Sequence, residues 1–273
     1  MSGKGSSVFR VWRTIGVGVV LSFYFFLLAP IGYASFAIWA ALPTSDPRRR
    51  ARRIQNCMRA AFASMHWALR WLRILDFNPK DVEGKIPEEP CILVGNHPTL
   101  VDISSVMALE PNLIFPAKAS LFRTFWAGPM LKAADQLYIL ERDTFGVGQT
   151  VELAGERLAQ GYRLIIFPEG TRSPADRLHP FGRMAFEIAV RENVPIVPLV
   201  IECEPRWLTP DRSFFSAEVK RVPKLKIRVL DPIHPKDLGE VQAEDGRRAK
   251  SRLLRDSVSE RIHKELGLTL PER

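Results

Sequence analysis

From residue 77 to residue 230, short apolar runs alternate with helix-length amphipathic stretches, and this alternation leaves few possible architectures. The runs expected to be strands are Phe77–Val82, Cys91–Gly95, Leu113–Ala117, Gln136–Leu140, Arg163–Phe167, Pro195–Cys203 and Lys224–Leu230. Between them, helical spacing predicts segments near Leu100–Leu109, Phe122–Ala134, Val147–Gln160 and Gly182–Glu192. Strands separated by helices imply an α/β fold: a mixed, largely parallel sheet flanked by helices. A charged helix near Glu244–Leu266 closes the chain, and only a solvated face is expected of it.

The first 75 residues have a different character. No charged residue lies between Ile15 and Leu42. That run is too long for a signal-peptide core and lacks a small-residue cleavage site. As one straight helix it exceeds the ~20 residues that cross a bilayer, but Pro30 and Gly32 divide it. A bent, re-entrant apolar helical membrane anchor with both ends cytoplasmic is expected, with a single tilted span as the alternative. Residues 1–53 carry eight cations against Asp46 alone, which is +7 of the total +9 and leaves +2 for the rest. The basic character would therefore meet an anionic surface. After the break at 43–47, a helix from about Arg48 to Leu75 places Ile54, Met58, Ala61, Met65, Leu69 and Leu72 on one side. Arg59, His66, Arg70 and Arg73 share another, wet side. Such a helix reads as membrane-surface contact, or as a helix packed on its own domain. The expected division is an anchor and basic helix at 1–75 and a catalytic domain at 76–273.

Two strand ends carry polar chemistry. Cys91–Gly95 runs into Asn96-His97-Pro98, and Asp102 follows one helical turn later. Strand ends of open α/β sheets are common ligand sites, and a His–Asp pair there can act as a general base with an oriented imidazole. Alternatively, Thr99-x-x-Asp102 forms a capping box and Asp102 serves only the helix terminus. The run Leu164–Phe167 ends in Pro168-Glu169-Gly170-Thr171-Arg172-Ser173. There Gly170 allows a tight turn, and Arg172 offers a planar fork for phosphate or carboxylate, or merely a surface ion pair. Both ends are expected to open on one edge of the sheet. Cys57, Cys91 and Cys203 are unpatterned, which argues against a disulfide framework or zinc site.

Asn96-His97 through Asp102 resembles the NH-x4-D motif of the lysophospholipid (1-acylglycerol-3-phosphate) acyltransferase family, and Phe167 through Ser173 is similar to its FPEGTRS motif at every position. Val194–Leu199 resembles the proline-containing fourth block, and Phe115-Pro116-Ala117-Lys118 the segment that supplies a lysine near the acceptor phosphate. In the second block, usually G-x-x-F-I-x-R, the chain has Gln136, Ile139 and Leu140 at the glycine, phenylalanine and isoleucine positions but keeps Arg142. The resemblance spans roughly residues 75–205. It implies the glycerolipid acyltransferase fold and an O-acyltransferase. His97, oriented by Asp102, would deprotonate a lysolipid hydroxyl, which attacks an acyl thioester of coenzyme A or acyl carrier protein. Arg172, with Arg142 and Lys118, would bind the acceptor's phosphate, Glu169 and Gly170 would shape its pocket, and Thr171 and Asn96 would complete the substrate-binding set.

No metal or redox cofactor is implied. The resemblance also implies the cytoplasmic side of the inner membrane, with lipid and thioester donor as partners and no nucleic acid. Acceptors other than a glycerol phosphate, such as a lyso-ornithine lipid or glycolipid, stay open. A Ser-His-Asp hydrolase built on Ser104 or Ser105 lacks the G-x-S-x-G turn. A non-catalytic membrane-binding protein would leave the His97–Asp102 and Glu169–Arg172 groups unexplained.

Overall fold

The computed structural model describes residues 11–12, 15–16, 18–19, 46–124, 127–139, 144–174, 176–210, 221–239 and 246–270. All but a few residues of the uncharged stretch Ile15–Leu42, its Pro30 and Gly32, and also Leu140 and Arg142 lie outside these. Among the described residues, no helix is long and apolar enough to cross a membrane.

Five strands form the main sheet: β1 (Ile92–Gly95), β2 (Leu113–Ile114), β5 (Arg163–Ile166), β6 (Ile196–Glu204) and β7 (Lys224–Val229). Their order is β2-β5-β1-β6-β7, all parallel except β7, which runs antiparallel to β6. A separate parallel pair consists of β3 (Pro116–Lys118) and β4 (Leu137–Ile139). Side chains alternate across β1, so Leu93 joins one core and Ile92 and Val94 the other. The first core lies under helices α1 (Pro47–Trp71) and α2 (Asp102–Met107). The second lies under α5 (Thr144–Ala159), α6 (Met184–Glu192) and α7 (Gly246–Leu266). Both faces of the sheet are covered, which is why its inner strands read as continuous apolar runs.

Four expectations are corrected. Phe77–Val82 is not a strand: Pro79 and the Asn78 side chain, which accepts from Lys80 N–H, start a 3-10 turn over Pro79–Val82. Leu113–Ala117 divides between the two sheets at Phe115, whose N–H is taken by the Gln136 side chain at 2.9 Å. Phe122–Ala134 is two short helices, α3 (Ala119–Phe122) and α4 (Gly128–Ala133). They pack so closely that a Cβ on Gly128 would sit 2.2 Å from the Phe122 carbonyl oxygen, so only glycine fits. The last helix is not merely solvated, because Leu254, Val258 and Ile262 of α7 are fully buried.

Helix α1 begins at Asp46, whose side chain accepts from Arg48 N–H at 3.0 Å. Ile54, Met58, Met65 and Leu69 bury its apolar side in the first core, whereas Ala61 is exposed and Leu72 half-buried. That face is therefore occupied by the protein itself. Outward, Trp67 and Trp71 stack on each other, 67% and 72% exposed.

His66 corrects the sequence reading more sharply: it is fully buried, not on the wet side. Its Nε2 lies 3.3 and 3.2 Å from the hydroxyls of Ser104 and Ser105 on α2. Both hydroxyls donate to Val101 O at 2.8 Å, so both accept from Nε2–H. Nδ1 has no partner, and charging the ring would place a proton there with no acceptor. Burial accordingly pushes the imidazole down to about 4. The unfolded chain binds that proton from about pH 6.5 downward and the folded one does not, so stability is full above pH 6.5 and falls between 6.5 and 4. The span corresponds to about 3 kcal/mol. Urea unfolding at several pH values is expected to show this loss, and His66→Gln is expected to remove most of the slope.

Candidate active site

The β1–β5 pairing aligns Val94 with Ile166, so the turns after both strands emerge at the same edge, as expected. His97 stands on the first turn with its side chain 15% exposed, and Asp102 is fully buried behind it. His97 Nδ1 lies 2.7 Å from Asp102 Oδ2. The same Oδ2 accepts from Thr99 N–H at 2.7 Å, and Oδ1 accepts from the Thr99 hydroxyl. Asp102 is thus both the cap of its own turn and the partner of the imidazole. Burial raises its carboxyl pKa, while the hydrogen bonds from His97 and Thr99 act the other way. With Nδ1 engaged, Nε2 is the ring nitrogen left for substrate. The ring is further fixed by stacking on Phe167, centroids 4.6 Å apart.

The other motif residues hold this turn in place. Asn96 is buried, and its amide closes two bonds with the backbone of Ile201 on β6, 2.9 and 2.8 Å, in continuation of the strand ladder. Glu169, 9% exposed, accepts from His97 N–H at 3.0 Å and from His179 N–H and Ser173 Oγ at 2.7 Å. Ser173 N–H donates to His97 O at 2.8 Å. Gly170 takes φ +68° at the tip of the second turn, a conformation that disfavours side chains. Thr171 beside it is exposed.

Arg172 reaches sideways, its Nη1 donating to Leu208 O at 2.9 Å, and Arg206 reaches back to Ser173 O at 3.1 Å. Two guanidiniums therefore lace the turn after β5 to the segment after β6. Leu208 O also accepts from Leu100 N–H at 3.1 Å, tying in the His97 turn.

His97 opens on a pocket of about 660 Å³. Its walls are mainly apolar, from Ile103, Phe115, Leu121, Ile139, Phe167 and Met184, and two cations, Lys118 and Arg183, line it as well. Arg172 is not among the lining residues. Arg183 was missed from the sequence because it follows the motif by ten positions and carries no local signal beyond preceding a helix. Such a pocket suits an acyl chain with a charged head, beside a base that can take a proton.

Ser104 and Ser105 face His66 rather than His97. Burial pushes the thiols of Cys91 and Cys203 up to about 12, so neither supplies thiolate at neutral pH. Among the described residues, no three His, Cys, Asp or Glu side chains are grouped to hold a metal ion.

The acyltransferase family model matches residues 79–202. The human 1-acyl-sn-glycerol-3-phosphate acyltransferase alpha is 29% identical over 217 residues, which are 77% of this chain and 72% of the human one. A probable 1-acyl-sn-glycerol-3-phosphate acyltransferase of Mycoplasma pneumoniae is 27% identical over 190 residues, 67% of this chain and 70% of its own. In fold, the chain is similar to the crystal structure of the 1-acyl-sn-glycerophosphate (LPA) acyltransferase PlsC from Thermotoga maritima. The TM-score is 0.58 at 18% identity, covering 98% of this chain and 100% of that one.

Proposed function

From the match to the acyltransferase family model over residues 79–202, we propose that this chain transfers a fatty acyl group from a thioester to the free hydroxyl of 1-acylglycerol-3-phosphate, giving phosphatidic acid. The observation that carries the proposal is the His97 imidazole, held at Nδ1 by the buried Asp102 and lining an apolar pocket with cations beside it. Nε2 takes the hydroxyl proton as the oxygen bonds to the thioester carbonyl carbon. The carbon–sulfur bond then breaks, and the departing thiolate receives the proton from the imidazolium. Asp102 stabilises the transient positive charge on the ring. Lys118 and Arg183, which line the pocket, bind the acceptor's phosphate, and Arg172 steadies the turn after β5 through its bond to Leu208 O. The curated relatives named above favour a glycerol phosphate over an amino-acid lipid or glycolipid.

Residues 1–75 hold the enzyme at the cytoplasmic face of a membrane, where lysolipid enters from the leaflet and the donor from solution. The uncharged stretch Ile15–Leu42, the cations at 48–53 and the exposed Trp67 and Trp71 support this placement. The test is a panel of lysolipids offered to the purified enzyme with acyl-CoA and with acyl carrier protein thioester, the products identified by mass spectrometry. Phosphatidic acid, formed only when a thioester is present, is the expected product. Acylation of a lyso-ornithine lipid or glycolipid in preference would overturn the acceptor, and ester hydrolysis without transfer would overturn the reaction.

A further inference from the structure

A second hollow lies next to the His97 pocket. It has a volume of about 360 Å³ and is lined by Val151 of α5, Glu187, Val190 and Arg191 of α6, and Arg247 and Arg248 of α7. Helix α6 contributes to both cavities, Met184 and Ala185 to the pocket and Glu187, Val190 and Arg191 to the hollow. Arg183, which lines the pocket, pairs at 3.8 Å with Glu187, which lines the hollow. From Ala185 to Arg191 is six residues, or ~9 Å of helix.

Its charge is not explained by stability. The first ten residues of α7 contain Arg247, Arg248, Lys250, Arg252 and Arg255 and no carboxylate. Cations at that end oppose the helix dipole, and outside residues 1–53 the whole chain has a net charge of only +2. Arginine 191 shares its charge with Glu192 at 3.3 Å and stays 45% exposed, while Arg247 and Arg248 are exposed. Guanidinium forks suit phosphate oxygens, and Val151 and Val190 offer an apolar surface for a flat ring. The volume is that of a small-ligand site, not of a protein-docking face.

We propose that this hollow holds the phosphorylated nucleotide end of a coenzyme A thioester, whose arm crosses the Arg183–Glu187 pair to deliver the acyl group beside His97. The proposal rests on the thioester-dependent transfer described above and names its donor.

The test uses the full-length enzyme and adenosine 3′,5′-bisphosphate as the probe of the nucleotide end. The probe is expected to bind the wild type in calorimetry, without turnover, and to compete with acyl-CoA but not with the lysolipid. Arg247→Gln/Arg248→Gln, and separately Arg191→Gln, are expected to raise KM for acyl-CoA roughly tenfold or more, with kcat and acceptor KM little changed. No probe binding by the wild type overturns the proposal, whether or not the variants fold. So does an unchanged donor KM in folded variants. Variants impaired only toward the thioester of acyl carrier protein also overturn it, in favour of an acidic protein partner. Absence of acyl transfer from any thioester would instead overturn the reaction itself, which the calorimetric arm does not depend on.

Discussion

Replacing His97 with alanine is expected to lower acyl transfer by at least ~10²–10⁴-fold, the usual worth of a general base. The loss should fall on kcat, because the ring touches the proton that moves and not the phosphate or the acyl chain. The fold should survive: Asp102 keeps its two bonds to Thr99, and the turn keeps its backbone bonds to Glu169 and Ser173. Asp102→Asn separates the two duties of that carboxylate. Asparagine keeps an oxygen for Thr99 N–H and can donate its amide to the Thr99 hydroxyl, so thermal stability should change little. It cannot neutralise an imidazolium, and with its amide reversed it would force the wrong tautomer on His97. Activity is therefore expected to fall about 10²-fold or more. Near-normal turnover by a folded Asp102→Asn enzyme would reduce Asp102 to a cap and remove the base from the mechanism.

Glu169→Gln is expected to be nearly as damaging, although Glu169 need touch no reacting atom. Its Oε1 accepts from His97 N–H, its Oε2 from His179 N–H, and Ser173 Oγ bonds to the same carboxylate. Both oxygens face backbone donors, so an amide in either orientation would point its NH₂ at an N–H. A buried donor left without an acceptor costs ~1–3 kcal/mol, and more where the lost partner is charged. The turn would relieve this by shifting, which carries His97 away from its reactive position. A destabilisation of about 2–4 kcal/mol, with a kcat loss of about 10-fold or more, is expected from denaturant unfolding and steady-state rates. Unchanged stability together with unchanged kcat would show that the turn is held by other bonds.

The parts of the site that were legible are those encoded within a few residues. His97 and Asp102 share one turn, and β1 and β5 are buried on both faces, so their apolar runs and polar endings stand out. What escaped depends on partners distant in the chain. Gln136 was noted only as a departure from a glycine, yet its side chain captures Phe115 N–H and divides an expected strand between two sheets. His66 sits among arginines in the sequence and is buried where the hydroxyls of Ser104 and Ser105, 38 and 39 residues on, accept from its Nε2–H. The helical period of Leu254, Val258 and Ile262 was hidden by the charges around it. Arg172 illustrates a further limit: residue type suggested an anion, but its visible bond is to the Leu208 carbonyl.

β1, at the centre of the sheet, leaves the ribosome long before both its neighbours. It pairs with β5 and β6, whose aligned residues lie 72 and 104 positions later at Ile92. Asn96 waits longer still, for Ile201. Long-range parallel pairing of this kind is slow to close, so during synthesis the Ile92–Gly95 segment and the His97 turn remain unassembled while the uncharged N-terminal stretch is already available to a bilayer. In the membrane placement proposed above, attachment would therefore precede activity, and the nascent enzyme carries no working base until more than two thirds of the chain has been made.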